Sequence, residues 1–277
     1  MAVTQPVFVF ANNTEPFDVI KSKIKSLDTL LFSGSGVVPN TIIAVESHED
    51  STKAQFSHAG MAIRGVDLLP CVRECEQAWL KADGLYIFES IMSGKLNDGV
   101  TDVDGHSHLA VQLRDLEAVV KCCKDNTVAW CPLKESVRPT PTDLPSNVRA
   151  IYDRYLGLTY DASVVDLGGA AFLSIRWIRD CCFVKWFRDT VWTSLFGSNR
   201  TIDGGELPKD NKPTHWQFCS EMCTNVYKDL HIVPATCNPE NVMPQDMVPR
   251  PDGKTTYDAD CQFPVIFDRV VMLSTKA

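Results

Sequence analysis

The run FCSEMCTNVYKDL, residues 218–230, decides how the rest of the chain is read. Its apolar residues at 219, 222, 223, 226, 227 and 230 recur at the spacing of one helix face. The spacing predicts an amphipathic helix that opens on Cys219. A thiol in that place meets backbone N–H groups with no intrahelical partner and the positive end of the helix dipole. Both stabilise thiolate, taking a thiol pKa from about 8.5 toward roughly 3.5–7.5 in reactive sites. The N–H of Cys219 itself suits an oxyanion hole, and Glu221 in the first turn complements the dipole. The commoner explanation of such a cysteine is a small buried apolar residue. A nucleophile therefore needs a second sign, a base within reach.

Histidine occurs at 48, 58, 106, 108, 215 and 231. His58 differs from the others by lying in a strand-like run, FSHAGMAIR (56–64), whose small residues leave room for a ligand. Glu89 closes the next strand-like run, LYIFES (85–90). On paired neighbouring strands the two side chains can face each other, with Glu89 fixing the imidazole tautomer. Taken singly, His58 reads as a satisfied core histidine and Glu89 as a strand-end charge facing water.

Outward from these runs, PFDVIKSKIKSL (16–27) has helical spacing, and TLLFSG (29–34) reads as a strand stopped by the turn at Gly34-Ser35-Gly36. The stretch 37–55 is polar and irregular. CVRECEQAWLKA (71–82) predicts a helix with Cys71, Cys75 and Trp79 on one face, the two cysteines reading as core. LAVQL (109–113) predicts a strand, RDLEAVVKC (114–122) a short helix and TVAWCPL (127–133) a strand. A linker holding Pro139, Pro141 and Pro145 precedes a helix around 146–156. The aromatic segment 162–196 reads as helical, 197–213 as a polar linker, and FPVIFDRVVML (263–273) as a last strand. Strands and helices mix without regular alternation and without an internal repeat, so an α+β fold is expected.

The 277 residues, 44% apolar and 22% charged, suit a globular chain with a proper core. A net charge of −8 argues against nucleic acid as a partner. The 11 cysteines are odd in number and include the adjacent pairs Cys122-Cys123 and Cys181-Cys182, a poor disulfide framework. A reducing compartment and a cytoplasmic location are expected. The N-terminal MAVTQPVFVFANN lacks a basic region, and no uncharged apolar stretch reaches the roughly 18 residues of a membrane span. Asp102, Asp104, His106 and His108 alternate in DVDGHSH; a divalent ion would use such letters, but so does a polar turn, the favoured explanation. The chain has no phosphate-binding loop. No metal or cofactor is expected.

In order along the chain stand TLLFSGSG, FSHAGM, YIFES, VQLRDL, YLGLTYD and FCSEMCTNVY, with NPENVMPQDM behind. This order resembles the circularly permuted branch of the NlpC-type papain-like cysteine hydrolases, which includes bacterial lipoprotein-like amidases and proteins of poxviruses and other large DNA viruses. The likeness runs from about Leu27 to about Pro249. It implies a single domain, a central antiparallel sheet packed on helices, and a catalytic histidine preceding the cysteine. By resemblance Cys219 is the nucleophile, His58 the base and Glu89 the third polar residue. Insertions at about 66–83 and 162–212 depart from the family pattern.

The resemblance implies acyl transfer through a thioester, on a peptide-type amide or on an acyl chain as in lecithin:retinol acyltransferase relatives. Gln217 is a candidate oxyanion donor, though also a plain surface glutamine; Tyr160, beside Asp161, is a candidate cleft residue, though the pair also suits a helix end and cap. The basic, aromatic stretch 171–196 suits a membrane surface, an acyl chain or a docked protein, and also ordinary core packing. The competing expectations are a thiol amidase or peptidase, a lipid acyl hydrolase or acyltransferase with the same residues, and a non-enzymatic virion component keeping the fold.

Overall fold

Short, largely apolar runs build the centre of the fold, a seven-stranded sheet in the order β1-β7-β6-β2-β3-β4-β5. The strands are β1 (Thr14–Pro16), β2 (Thr29–Phe32), β3 (His58–Arg64), β4 (Leu85–Ile91), β5 (Ala110–Asp115), β6 (Val128–Cys131) and β7 (Val271–Ser274). The helices are α1 (Phe17–Ile20), α2 (Gly65–Leu68), α3 (Leu116–Cys122), α4 (Leu144–Tyr155) and α5 (Cys219–Asp229), with a 3-10 turn at Pro244–Met247. The structure, a computed structural model, describes residues 14–33, 55–70, 72, 77–91, 100–105, 110–123, 127–158, 218–239, 242–248 and 266–274.

Both faces of the sheet are covered, which is why every residue of β2 and β6 is buried. On one face Ala59, Met61 and Phe88 pack with Met222, Cys223 and Val226 of α5 and with Ile151 and Tyr152 of α4. On the other, Leu30, Ala62 and Ile87 pack with Ile20, Ile24 and Val119. The far end of α5 is tied down by Tyr227, whose hydroxyl donates to the Leu27 carbonyl at 2.7 Å and lies 2.7 Å from the Thr29 hydroxyl. Next to Leu27, the buried Asp28 carboxylate accepts from Trp130 Nε1 at 2.8 Å, Leu133 N at 3.0 Å, Lys25 N at 2.9 Å and Arg138 Nη2 at 2.5 Å. This hub joins β2, β6 and the segment before α4, so the start of β2 is fixed before the site is built.

The α+β class holds, with corrections in detail. The sheet is mixed, because the edge pair β1–β7 runs parallel. The helix expected over 16–27 lasts only from Phe17 to Ile20. Arg64 takes the Lys21 and Ile24 carbonyls, and Asp28 takes the Lys25 N–H, so tertiary bonds claim groups that a longer helix would use. Arg114 belongs to β5, not to the following helix, which starts at Leu116 where Asp115 caps it by accepting from Ala118 N at 2.7 Å. The last strand begins only at Val271, since Ile266 to Asp268 bond irregularly to 132–134. Trp79 is 48% exposed in a turn rather than on a buried helix face, and Cys71 and Cys75 lie outside the described residues. Cys237 is disulfide-bonded, although the cysteine pattern reads as a poor disulfide framework.

Asp102 is buried and bridged to Arg114, whereas His106 and His108 lie outside the described residues. The segments 171–196 and 162–212 lie outside them as well. Among the described residues no helix is long and apolar enough to cross a membrane.

Candidate active site

Strand alternation puts His58, Gly60 and Ala62 of β3 on the sheet face shared with Ile87 and Glu89 of β4 and with Gln112 and Arg114 of β5. Pairing of β3 with β4 runs from Arg64↔Leu85 to Met61↔Phe88 and stops there. Past that point the Glu89 carboxylate reaches along β3, and its Oε2 meets His58 Nε2 at 2.5 Å. Its other oxygen, Oε1, accepts from Arg114 Nε and Nη2, both at 2.7 Å. Glu89 is fully buried, the Arg114 side chain is 4% exposed, and the His58 side chain keeps 22% of its surface in contact with solvent. Phe32, opposite His58 on β2, lies against the ring with centroids 5.7 Å apart.

Cys219 enters from α5. Its N-cap, Phe218, has no side-chain oxygen to satisfy the first-turn donors; Glu221 reaches back to accept Phe218 N at 3.2 Å. The first turn is pinned by Ser220, whose hydroxyl donates to the Val242 carbonyl at 2.7 Å. The Cys219 sulfur is hydrogen-bonded to the His58 ring and accepts from the N–H groups of Ser220 and Ala59. The Ala59 amide is available because the β3–β4 ladder has already ended. With Nε2 on Glu89, Nδ1 is the ring nitrogen left for the sulfur.

The charges follow from these contacts. Burial opposes a charged His58, but the Cys219 and Glu89 charges and hydrogen bonds outweigh it and raise the ring pKa to about 10. Burial also opposes a Cys219 thiolate; the His58 charge and hydrogen bond, with the two backbone N–H groups, outweigh it and bring the thiol below its ordinary value. Burial opposes a charged Glu89, and Arg114 foremost, then His58, hold it below the usual carboxylate range. Both shifts favour the thiolate–imidazolium form of the pair. Cys223, one turn along α5, and Cys131 on β6 are shifted the other way by burial. Among the described buried free cysteines, the lowered pKa is thus confined to this corner.

Of the residues singled out in the sequence, Cys219, His58 and Glu89 come together. Gln217, Tyr160 and Asp161 lie outside the described residues. Arg114 was missed. Once residue 114 is known to be strand, the alternation places it: Val111 and Leu113 face one apolar core, so Gln112 and Arg114 face the other, where a buried guanidinium requires a carboxylate. No model of a known protein family and no curated protein matches this chain.

Proposed function

We propose that the chain is a thiol hydrolase of the permuted, NlpC-type papain-like kind, cleaving an amide or ester bond through a Cys219–His58–Glu89 triad. The observation that carries this is the Cys219 sulfur bonded to the His58 ring while Glu89 holds the ring's other nitrogen. An α+β sheet with a helix that opens on the cysteine, and the histidine earlier in the chain, support the permuted papain-like reading.

The Cys219 thiolate attacks the carbonyl carbon, forming a C–S bond as the π pair moves to oxygen. The Cys219 N–H, which has no partner within its helix, is the natural donor to that oxyanion. Collapse restores the carbonyl and expels the amine or alcohol, which takes its proton from the His58 imidazolium. The neutral imidazole then removes a proton from water as the oxygen attacks the thioester, and the acid departs as the thiolate and imidazolium reform. Glu89 keeps its charge throughout and steadies the ring.

The test is alkylation by iodoacetamide across pH with mapping of the modified cysteines. Cys219 is expected to react well below pH 8, ahead of Cys223 and Cys131, and His58→Ala to abolish that preference. Equal reactivity of Cys219 and an ordinary thiol at every pH removes the triad. Trapping the thioester with peptide-type and fatty-acyl probes then assigns the substrate class.

A further inference from the structure

We propose that Arg114 is a positioning residue of this site, acting on His58 and Cys219 only through Glu89; this rests on the triad proposed above. The geometry divides the carboxylate. Arg114 places Nε and Nη2 on Oε1 at 2.7 Å each, which leaves Oε2 to His58 Nε2 at 2.5 Å. The guanidinium is itself held: Nη1 donates to the Val100 carbonyl at 3.3 Å, and the backbone of Arg114 is bridged to Asp102. It therefore fixes the carboxylate from the side opposite the imidazole, as a ring-orienting group must be fixed.

Charge gives the second reason. Thiolate, imidazolium and carboxylate alone sum to −1 in a corner where Glu89 is fully buried and Cys219 is 5% exposed. Arg114 completes an alternating row of four charges that sums to zero. Among the described residues, the titratable groups that act on Glu89 are His58 from β3, Arg114 from β5 and Cys223 from α5, with Asp102 in the segment bridged to Arg114. Without Arg114 the fully buried carboxylate loses its foremost stabilising charge and takes up a proton. A neutral Glu89 no longer supports the imidazolium, and the imidazolium no longer supports the thiolate. Both pKa values then move inward, the thiol upward and the ring downward. Simple deletion of a positive charge with Glu89 still ionised gives the opposite shift for the ring, upward, so the two cases separate.

The experiment follows iodoacetamide alkylation of Cys219 and histidine NMR from about pH 4 to about pH 10. Arg114→Met is expected to raise the Cys219 inflection by about one unit or more and to lower the His58 midpoint. Arg114→Lys, which keeps the charge and loses the fork, restores most of the thiol shift. The double variant Glu89→Gln, Arg114→Met is expected to match Glu89→Gln alone. These comparisons stand if Arg114→Met folds poorly, because the lysine and double variants carry them. An unshifted thiol in Arg114→Lys and Arg114→Met alike, a His58 midpoint that rises, or additive losses in the double variant overturns the role of Arg114 and leaves the triad intact. A wild-type Cys219 of ordinary reactivity removes the triad itself.

Discussion

Gly60 lies directly beneath Glu89: a Cβ on Gly60 would stand 3.1 Å from the Glu89 Cβ and 2.6 Å from Ile87 Cδ1. The missing side chain is what lets the carboxylate lie along β3 and reach His58, two residues away on the same face. Gly60→Ala is expected to overpack this point, costing about 1–3 kcal/mol. It also displaces Glu89, so Cys219 alkylation should shift to higher pH. Chemical denaturation and alkylation profiles check the two effects; loss of stability with an unmoved thiol would mean that Ile87 alone gives way.

Glu89 ties stability to pH in a direction that can be worked out. Its folded pKa lies below the ordinary 4.5, so its contribution is complete above 4.5 and is lost as pH falls through the lower folded value. Glu89→Gln keeps the shape but leaves the buried Arg114 guanidinium without its carboxylate, at a cost of about 3–5 kcal/mol near neutrality. That penalty should shrink as pH drops below the ordinary carboxylate value. His58, raised to about 10 from 6.5, behaves in the mirror sense: its contribution is complete below 6.5 and is lost as pH rises through about 10. Urea unfolding of wild type and Glu89→Gln over a pH series measures the first. A penalty independent of pH would mean that Glu89 is not ionised in the folded chain.

The parts legible in the sequence are those whose signal is local. The stripe 219–230 became α5 nearly to the residue, and the runs around His58 and Glu89 became β3 and β4. What escaped is set by distant partners. Arg64 ends α1 from 40 residues away, and a parallel partner at the other end of the chain makes Thr14–Pro16 a strand. Arg114 was hidden because QLRDLEAV reads as a helix start; only the pairing of β5 with β4 extends the strand two residues and aims the guanidinium at Glu89.

Asp28 separates the fold from the chemistry. Its carboxylate gathers four donors, including the nearly buried Arg138, and sits at the start of β2 rather than at the site. Asp28→Asn is expected to leave the buried Arg138 only the more distant, exposed Glu135 at 3.4 Å as an ionic partner and to destabilise the chain by about 3–5 kcal/mol. At temperatures where the variant stays folded, the Cys219 alkylation profile should be that of wild type. A shifted profile would show that the two polar clusters are coupled through β2.

Ser220 allows the sharpest separation of stability from reactivity, because it adjoins the nucleophile and does two jobs with different atoms. Its hydroxyl donates to the Val242 carbonyl and fixes the segment whose Gln245 accepts from Gln55 N at 2.9 Å; its backbone N–H serves the Cys219 sulfur. Ser220→Ala removes the first and keeps the second. The Val242 carbonyl then loses a buried donor, and a cost of about 1–3 kcal/mol is expected. The thiol should stay low, since His58 and both backbone donors remain. Differential scanning calorimetry beside the alkylation profile reads both quantities. If Ser220→Ala raised the thiol as far as His58→Ala does, the first turn of α5 would owe its position to the 242–247 segment more than to its packing on β3 and β4, and the depressed thiol would be a consequence of that tether.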